Sequence, residues 1–318
     1  MYIMNLIYSK LYADVVRKGI NLKDKHMNNL AIMIPYRDRP TELFGLLQSI
    51  RTQTYKEYDI FIRDDASGTP IQNYYFLNMI LMRIQLEGHR IFLKRNEFNF
   101  GVSRNRQVLV DDVLKEDNYQ FLLRLDDDIL LEPNYINELF EVIDKGYDIA
   151  SGITTPFGPS NKRNSKFLKG IINRIILDEN GNYIMNSDDC GIQYIDKIIL
   201  PAHHFRSCAL IKREVHEKIK YYPTRLSLNG FREEQIFSYK ALINGFKIGV
   251  NTKAVNFHLL TPSGGERPTM NMVPFNQQIL EEFTREHKDE LNKLFTKDNM
   301  PSKLELIKET NLINRSKI

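Results

Sequence analysis

The amino-acid sequence predicts an α/β fold in which helices cover both faces of a mostly parallel, Rossmann-like sheet. Short apolar runs, such as LAIMIP at 30–35, alternate with amphipathic segments four times across residues 30–143. This is the order of repeated strand and helix units. A chain of 318 residues, of which 42% are hydrophobic, is also long enough to bury a large core.

In the first half of the chain, each predicted strand is followed by a helix. The predicted strands cover 30–35, 58–65, 90–96 and 119–127. The predicted helices cover 71–87 and 102–115, and two more open at Pro40 and just after Pro133. The helix at Pro40 carries Leu43, Leu46, Leu47 and Ile50 at i, i+3, i+4 and i+7, which is one helical face. Such units build a parallel sheet whose ligands bind beyond the carboxyl ends of the strands.

The second half mixes a hairpin with further strands and helices. Two alternating stretches flank an Asn-Gly pair within 170–186, which indicates a β-hairpin. The next predicted elements are a strand at 204–211, a helix from Arg213, a helix at 233–246 and a strand at 246–252. The polar segment 155–168, rich in Gly, Pro and Ser, is predicted as a mobile loop that closes over a ligand.

Charge, cysteine content and hydropathy restrict the class of protein. Lys+Arg 44 against Asp+Glu 40 gives a net charge of +4, which is too small to predict nucleic-acid binding. Two cysteines, Cys190 and Cys208, favour a reducing compartment. No run approaches the roughly 18 apolar residues of a membrane-spanning helix. We therefore expect a cytoplasmic protein without a transmembrane segment, and the mild positive charge allows peripheral association at the inner face of a membrane.

Acidic residues follow two of the predicted strands at the edge where ligands are expected. The second strand ends in Asp64-Asp65, and the fourth runs into Asp126-Asp127-Asp128. Side chains alternate along a strand, so we expect Asp126 and Asp128 to point to one face and Asp127 to the other. Two carboxylates on one face favour a hard cation such as Mg²⁺ or Mn²⁺, which would also relieve their mutual repulsion.

The order of motifs along the chain resembles that of the GT-A glycosyltransferases, most closely those of the family 2 type. The motifs are IPYRDRP, IRDDAS, NFGVSRN, LRLDDD, NGFREE and a final FH, spread over about residues 30–260. The first motif is also similar to the opening motif of β-1,4-galactosyltransferases. The resemblance implies a GT-A domain at 29–271, with 29–130 as its nucleotide-sugar-binding half and 131–271 as its acceptor-binding half. Helical extensions at 1–28 and 272–318 lie outside it.

The resemblance also implies a role for each matching residue. The implied donor-binding residues are Pro35, Tyr36, Arg37, Asp65, Arg104, Asp126 and Asp127. The implied ligands of a Mn²⁺ or Mg²⁺ ion are Asp126, Asp128 and His258. Among the donor contacts, Tyr36 would pack on the base and Asp65 would hydrogen-bond it, typically a uracil. The acceptor-side motif usually ends in Glu-Asp; here it is Glu233-Glu234, so both are candidate catalytic residues, with Glu234 at the position of the usual base.

The activity that these features imply is a metal-dependent glycosyltransferase of the hexosyltransferase type. It would move a sugar from a nucleotide diphosphate sugar, expected to be a UDP-sugar, to a hydroxyl of a saccharide, lipid-linked or protein acceptor. Members of the family 2 type invert the anomeric centre, so we expect inversion. Two alternatives are a sugar-phosphate nucleotidyltransferase and a non-catalytic nucleotide-sugar or carbohydrate-binding protein. A nucleotidyltransferase is expected to carry a glycine-rich phosphate loop just after the first strand, but no glycine occurs there before Gly45. A non-catalytic binding protein is expected to lose the acidic motifs, and these are present.

Overall fold

The computed structural model describes residues 28–157, 171–177, 183–189, 199–205, 207–219, 225–266 and 269–294. The strands are β1 Leu30–Tyr36, β2 Tyr58–Asp64, β3 Ile91–Arg95, β4 Phe121–Arg124, β5 Ile129–Leu131, β6 Ile149–Pro156, β7 Ile171–Leu177, β8 Tyr183–Asp189, β9 Ile199–Ala202, β10 Ala209–Lys212 and β11 Ile248–His258. The helices are α1 Pro40–Arg51, α2 Tyr75–Leu86, α3 Val102–Leu114, α4 Tyr135–Asp144, α5 Arg213–Ile219, α6 Glu233–Ile243, α7 Met272–Glu286 and α8 Lys288–Leu294.

The first half of the sheet is parallel, as the alternation of strands and helices predicts. β1 pairs with β2 on one side and β4 on the other, and β3 extends the sheet beyond β2. Parallel neighbours require crossover connections, which α1, α2 and α3 provide. The carboxyl ends of β1, β2 and β4 therefore meet at one edge, and the acidic motifs follow directly.

The second half of the sheet is mixed. β10 runs antiparallel to both β4 and β6, whereas β6 and β11 are parallel. β11 also pairs antiparallel with β5 and β9, two short strands that the sequence patterns did not predict. The strand predicted at 246–252 is longer in the structure, where β11 continues to His258. The α/β class is confirmed, and the sheet changes from parallel to mixed at β4.

Helices cover both faces of the sheet, as expected for this class. On one face, α1, α2 and α4 pack on the sheet, and the predicted stripe of α1 is fully buried. On the other face, α3, α5 and α6 form a second core with the sheet. The fold therefore has three layers, and the cavity described below opens at the carboxyl edge of the middle layer.

The described part of the C-terminal tail forms the two helices α7 and α8, and it packs against α6. Ile279, Phe283 and Leu291 of the tail share a buried cluster with Ile236 and Tyr239 of α6. The tail therefore supports the helix whose first residues are the predicted catalytic acids.

Several sequence predictions concern other parts of the chain. The hairpin is confirmed as the antiparallel pair β7–β8. Outside the described residues lie 1–27 of the predicted N-terminal extension at 1–28, most of the loop at 155–168, Cys190 and residues 295–318. Within the described part of the chain, no helix combines the length and apolar character needed to span a bilayer.

Candidate active site

A polar cavity of about 370 Å³ opens at the carboxyl ends of β1, β2 and β4. Its lining residues are Pro35, Tyr36, Arg37, Arg39, Asp65, Val102, Asn105, Arg106, Asp126, Asp127, Asp128, Asn229, Gly230, Phe231, Glu233, Glu234, His258, Gly265 and Glu266. Motifs that lie far apart in the sequence therefore meet in one place. Of the predicted site residues, Arg104 is the one that does not line this cavity.

The three aspartates lie in a turn rather than in a strand. β4 ends at Arg124, so the alternation of side chains along a strand does not extend to residues 126–128 and cannot place Asp126 and Asp128 on one face. Instead, Asp127 and Asp128 share the Arg39 guanidinium, with Nη1 at 2.8 Å from one carboxylate and 3.0 Å from the other. Asp126 is turned toward Arg106.

His258 reaches the aspartates because two strands pair. β5 follows the acidic turn, and its Ile129 lies opposite His258, the last residue of β11. This register brings the Asp128 carboxylate to 3.1 Å from Nε2 of His258. Burial alone would lower the pKa of His258, but the hydrogen bond and the charge of Asp128 outweigh it and the pKa is raised. A carboxylate oxygen and an imidazole nitrogen thus share one wall of the cavity.

The charges around the aspartates give neighbouring carboxyl groups different acidities. Burial and the adjacent Asp128 charge raise the pKa of Asp127 to about 7, although Arg39 opposes the shift. Burial would also raise the pKa of Asp126, but the guanidiniums of Arg106 and Arg124 outweigh it and lower the pKa below its ordinary value. Asp126 is therefore the more firmly ionised of the two.

The two candidate catalytic acids occupy different environments at the start of α6. Glu233 is buried, with 1% of its surface exposed, and its Oε1 lies 2.7 Å from Arg106 Nε and 2.8 Å from Arg124 Nη2. The Glu234 side chain is 25% exposed and contacts Arg124 at 3.2 Å. Consecutive helical residues point about 100° apart, which separates the two carboxylates. Glu234 is therefore the more accessible acid, while Glu233 is held between two arginines.

Asp65 is used by the protein itself. Its carboxylate accepts hydrogen bonds from the backbone N–H groups of Phe100 at 2.8 Å and Gly101 at 2.9 Å and from the Asn96 side chain at 2.7 Å. Burial raises the pKa of Asp65, although these three hydrogen bonds oppose the shift. Gly101 has φ 77°, and a Cβ atom there would lie 2.6 Å from the Cα of Leu228, so only glycine fits the loop that Asp65 holds.

We predict that Asp65→Ala lowers both donor affinity and stability. The expected loss of affinity is roughly 1–3 kcal/mol, the usual cost of removing a buried hydrogen-bond partner. The melting temperature should fall as well, because Phe100 and Gly101 lose their acceptor. Calorimetric titration with nucleotide and thermal unfolding measure the two effects. Asp111→Ala, at an exposed aspartate of α3, is the matched control, and an unchanged nucleotide affinity in Asp65→Ala would contradict the prediction.

Two of the predicted donor-binding residues, Tyr36 and Arg104, have side chains that are poorly placed to contact a donor in the cavity. Tyr36 is 1% exposed and belongs to the core beneath α1 and α2, so stacking of its ring on a base is not favoured by its position. Arg104 is exposed and lies over the ring of Phe100, at 4.1 Å from the centroid. Arg106, two positions further along α3, points to the other side of the helix and lines the cavity.

The sequence reasoning missed several residues that shape the cavity. Arg39, Arg106 and Arg124 pair with the acids, and Glu266 contacts Arg37 at 3.0 Å. The segment that carries Glu266 crosses the first motif, where the Gly265 N–H donates to the Arg37 carbonyl at 2.9 Å. One signal in the sequence could have indicated these residues. The many acidic residues expected at one edge of the sheet need nearby cations to balance their charge.

The backbone around the cavity is held in an unusual conformation at several points. Among the described residues, the non-glycine residues with positive φ are Asp38 at 50°, Ala66 at 54°, Arg232 at 78° and Leu260 at 53°. Each lies within two positions of a residue that lines the cavity. Such conformations cost roughly 1–3 kcal/mol each and persist where the surroundings enforce them, often at functional sites. For example, the N–H of Asp38 donates to Ser67 Oγ at 3.0 Å.

Asp128 and His258 suit one side of a divalent-metal site. Within the described residues, no three His, Cys, Asp or Glu side chains converge to hold a metal on their own. A convergent set of three is not required, because Mg²⁺ typically binds one or two carboxylates together with phosphate oxygens of a substrate. The contact of 3.1 Å between Asp128 and His258 provides two protein donors. Asp126, the further predicted ligand, lines the same cavity, and one of its carboxylate oxygens contacts Arg106.

The fold and the position of the cavity define the class of protein. A parallel sheet that becomes mixed, with an acid-lined cavity at its carboxyl edge, is the GT-A architecture. The sequence profile described as Glycosyl transferase family 2 matches residues 31–220, which is more than half of the chain. The chain belongs to this glycosyltransferase family. No curated protein sequence matches it.

Solved structures of other glycosyltransferases share the fold. TarS 1-349 of S. aureus is similar over 83% of this chain and 65% of its own, with 17% identity and a TM-score of 0.54. The same TarS region in complex with UDP-GlcNAc is similar over 83% and 66%, with 16% identity and a TM-score of 0.54. GalNAc-T7 with UDP, GalNAc and Mn²⁺ is similar over 89% and 55%, with 17% identity and a TM-score of 0.61. This chain therefore spans less than two thirds of each of these three solved chains, and at this identity the similarity establishes the fold alone.

Proposed function

We propose that the protein transfers a sugar from a nucleotide diphosphate sugar to an acceptor hydroxyl. The observation that carries the proposal is the single cavity in which the Asp128–His258 pair and the accessible Glu234 carboxylate both lie, in a chain of this family. The pair offers ligands for a cation that binds a diphosphate, and the carboxylate offers a base. The cavity thus offers one group for the departing diphosphate of the donor and another for the hydroxyl of the acceptor.

The proposed donor is a UDP-sugar. Structures with the same fold were crystallised with UDP-GlcNAc, in TarS, and with UDP and GalNAc, in GalNAc-T7. The cavity of about 370 Å³ lies within the size range of small-ligand sites. The loop that Asp65 holds at the start of α3 leads into Val102, which lines the cavity, and this supports a site for the nucleotide part of the donor.

The proposed cofactor is Mn²⁺ or Mg²⁺, and GalNAc-T7 was crystallised with Mn²⁺. Asp128 and His258 would hold the ion. When bound, it supplies Lewis-acid stabilisation of the negative charge that grows on the departing diphosphate. Without such a cation the diphosphate would enter a cavity rich in carboxylates, where like charges repel it.

The proposed chemical step is a single displacement with inversion. The acceptor oxygen forms a bond to the anomeric carbon while the bond from that carbon to the diphosphate oxygen breaks. The leaving UDP takes the bonding electron pair, and Glu234 takes the proton of the acceptor hydroxyl. Glu234 suits this role better than Glu233, since it is partly exposed and Glu233 Oε1 contacts two arginines. A positioned base of this kind contributes about 10²–10⁴-fold to the rate.

The test is incubation of the protein with a panel of UDP-sugars, Mn²⁺ and candidate acceptors, with analysis of the products. The proposal predicts free UDP and a glycosylated acceptor of inverted configuration. Release of pyrophosphate would indicate a nucleotidyltransferase instead. Saturable binding without any turnover over the whole panel would indicate a binding protein, and either result would overturn the proposal.

A further inference from the structure

Five charged side chains form a continuous row of ion pairs along the cavity. The row, here called the ion-pair row, consists of Asp126, Arg106, Glu233, Arg124 and Glu234 in that spatial order. Arg106 joins the acidic turn to α6, because its guanidinium contacts both the Asp126 carboxylate and the Glu233 carboxylate, the latter at 2.7 Å. The row thus links the end of the cavity with the predicted donor contacts to the end with the candidate base.

Burial differs sharply between the middle and the ends of the ion-pair row. The side chains of Arg106, Glu233 and Arg124 are 4%, 1% and 1% exposed, whereas those of Asp126 and Glu234 are 21% and 25% exposed. Buried charges are costly to leave without a partner, so the middle three fix one another's positions. Within the row, Arg106 donates a hydrogen bond to Asp126, and Arg124 donates to both glutamates. The planar guanidinium fixes the direction of each of these hydrogen bonds. The exposed carboxylates at the two ends are therefore oriented by the groups beneath them.

We propose that Arg106 is a positioning residue for donor binding. Anchored by Glu233, it holds the Asp126 carboxylate at the cavity wall in the orientation that binds the nucleotide part of the donor. This assignment rests on the proposed function. Arg106 acts through Asp126 rather than as a ligand of the diphosphate, because it is nearly fully buried and has a carboxylate on each side.

A double-mutant cycle tests the assignment through binding rather than activity. The affinity for UDP in the presence of Mn²⁺ is measured by calorimetry for the full chain, Arg106→Gln, Asp126→Asn and the double variant. We expect Arg106→Gln to weaken UDP binding by at least about tenfold when Asp126 is present and by less than about threefold when residue 126 is Asn. Independent effects would instead multiply to within about twofold.

Two control variants distinguish the positioning of Asp126 from a general loss of charge or of stability. Arg51→Gln removes an arginine–carboxylate pair with Glu87, at 2.7 Å and outside the cavity, and should leave the affinity for UDP unchanged. Arg106→Lys, which keeps the charge, should recover part of the lost affinity, and it replaces Arg106→Gln if thermal unfolding shows that the latter does not fold.

The outcomes are distinguishable. Suppose that the wild-type protein binds UDP and that Arg106→Gln lowers the affinity for UDP equally with Asp126 present and in the Asp126→Asn variant. Arg106 then contacts UDP directly or acts on stability alone, so the assignment is overturned and the proposed function stands. If the wild-type protein itself binds no UDP, the proposed donor is wrong and the assignment fails with it.

Discussion

Replacing Glu234 by Gln is expected to reduce turnover by at least about 10²-fold while leaving donor affinity and the fold intact. The substitution removes the group that accepts the proton and keeps the size of the side chain. The contact with Arg124 at 3.2 Å is a partly exposed one, so its loss should cost little stability. Turnover at saturating donor, UDP affinity by calorimetry and thermal unfolding are the three measurements.

Glu233→Gln is the matched comparison, because it makes the same chemical change one residue away. Glu233 is buried against Arg106 and Arg124, so its neutralisation leaves two buried guanidiniums without their shared counter-charge. We expect lower stability and weaker donor and acceptor binding, with a smaller effect on the chemical step. The reverse result, an inactive Glu233→Gln and a nearly normal Glu234→Gln, would assign the base to Glu233. Normal turnover in both variants would place the base outside α6.

Asp128→Ala should abolish metal-dependent donor binding, with a loss of activity of at least about 10³-fold. A Lewis acid contributes several kcal/mol to such a step, and each 1.36 kcal/mol is a factor of ten. Asp128 is 1% exposed and contacts both Arg39 and His258, so the alanine variant also leaves each of these two side chains without one partner. Mn²⁺ binding followed by electron paramagnetic resonance, in the presence of UDP, separates loss of the metal from loss of the fold.

Asp128→Asn keeps the size of the side chain and tests the same point with less disturbance. It should weaken Mn²⁺ binding while the melting temperature changes less than in Asp128→Ala. Asp144→Ala, at an exposed aspartate at the end of α4, is the control and should behave as wild type. Full wild-type activity in excess chelator would refute the role of the metal, whatever the variants do.

Much of the fold could be predicted because its signals are local. The stripe of Leu43 and Ile50 predicts α1, and continuous apolar runs predict the buried strands β1 and β2. The motif order predicts which strand ends meet, since parallel strands place their carboxyl ends at one edge. The short strands β5 and β9 were missed, because three or four residues carry too little pattern and their pairing partner β11 lies far along the chain.

The site was less predictable, because its geometry depends on where elements stop and on which face a residue lies. The end of β4 at Arg124 places Asp126 beside Arg106 and Asp128 beside His258, whereas a longer strand would have paired the two aspartates. On α3, Arg104 matched the motif while Arg106 reaches the cavity, a difference of half a helical turn. The cations that balance the acids come from β4, α3 and the first loop. Arg39 and Arg124 lie within the matched motifs, but the motif pattern gave them no role.

The left-handed residues around the cavity have a consequence for how the sequence can vary. Surface loops ordinarily tolerate substitution better than any other part of a fold. At Asp38, Ala66, Arg232 and Leu260, however, backbone sterics favour Gly, Asn and Asp and strongly disfavour β-branched residues. The loops are therefore restricted in sequence at these four positions by their backbone conformation, in addition to the restrictions that the cavity itself places on neighbouring side chains. A substitution by valine, isoleucine or threonine at any of these four positions would therefore disturb the cavity through the backbone, even though the new side chain need not enter it.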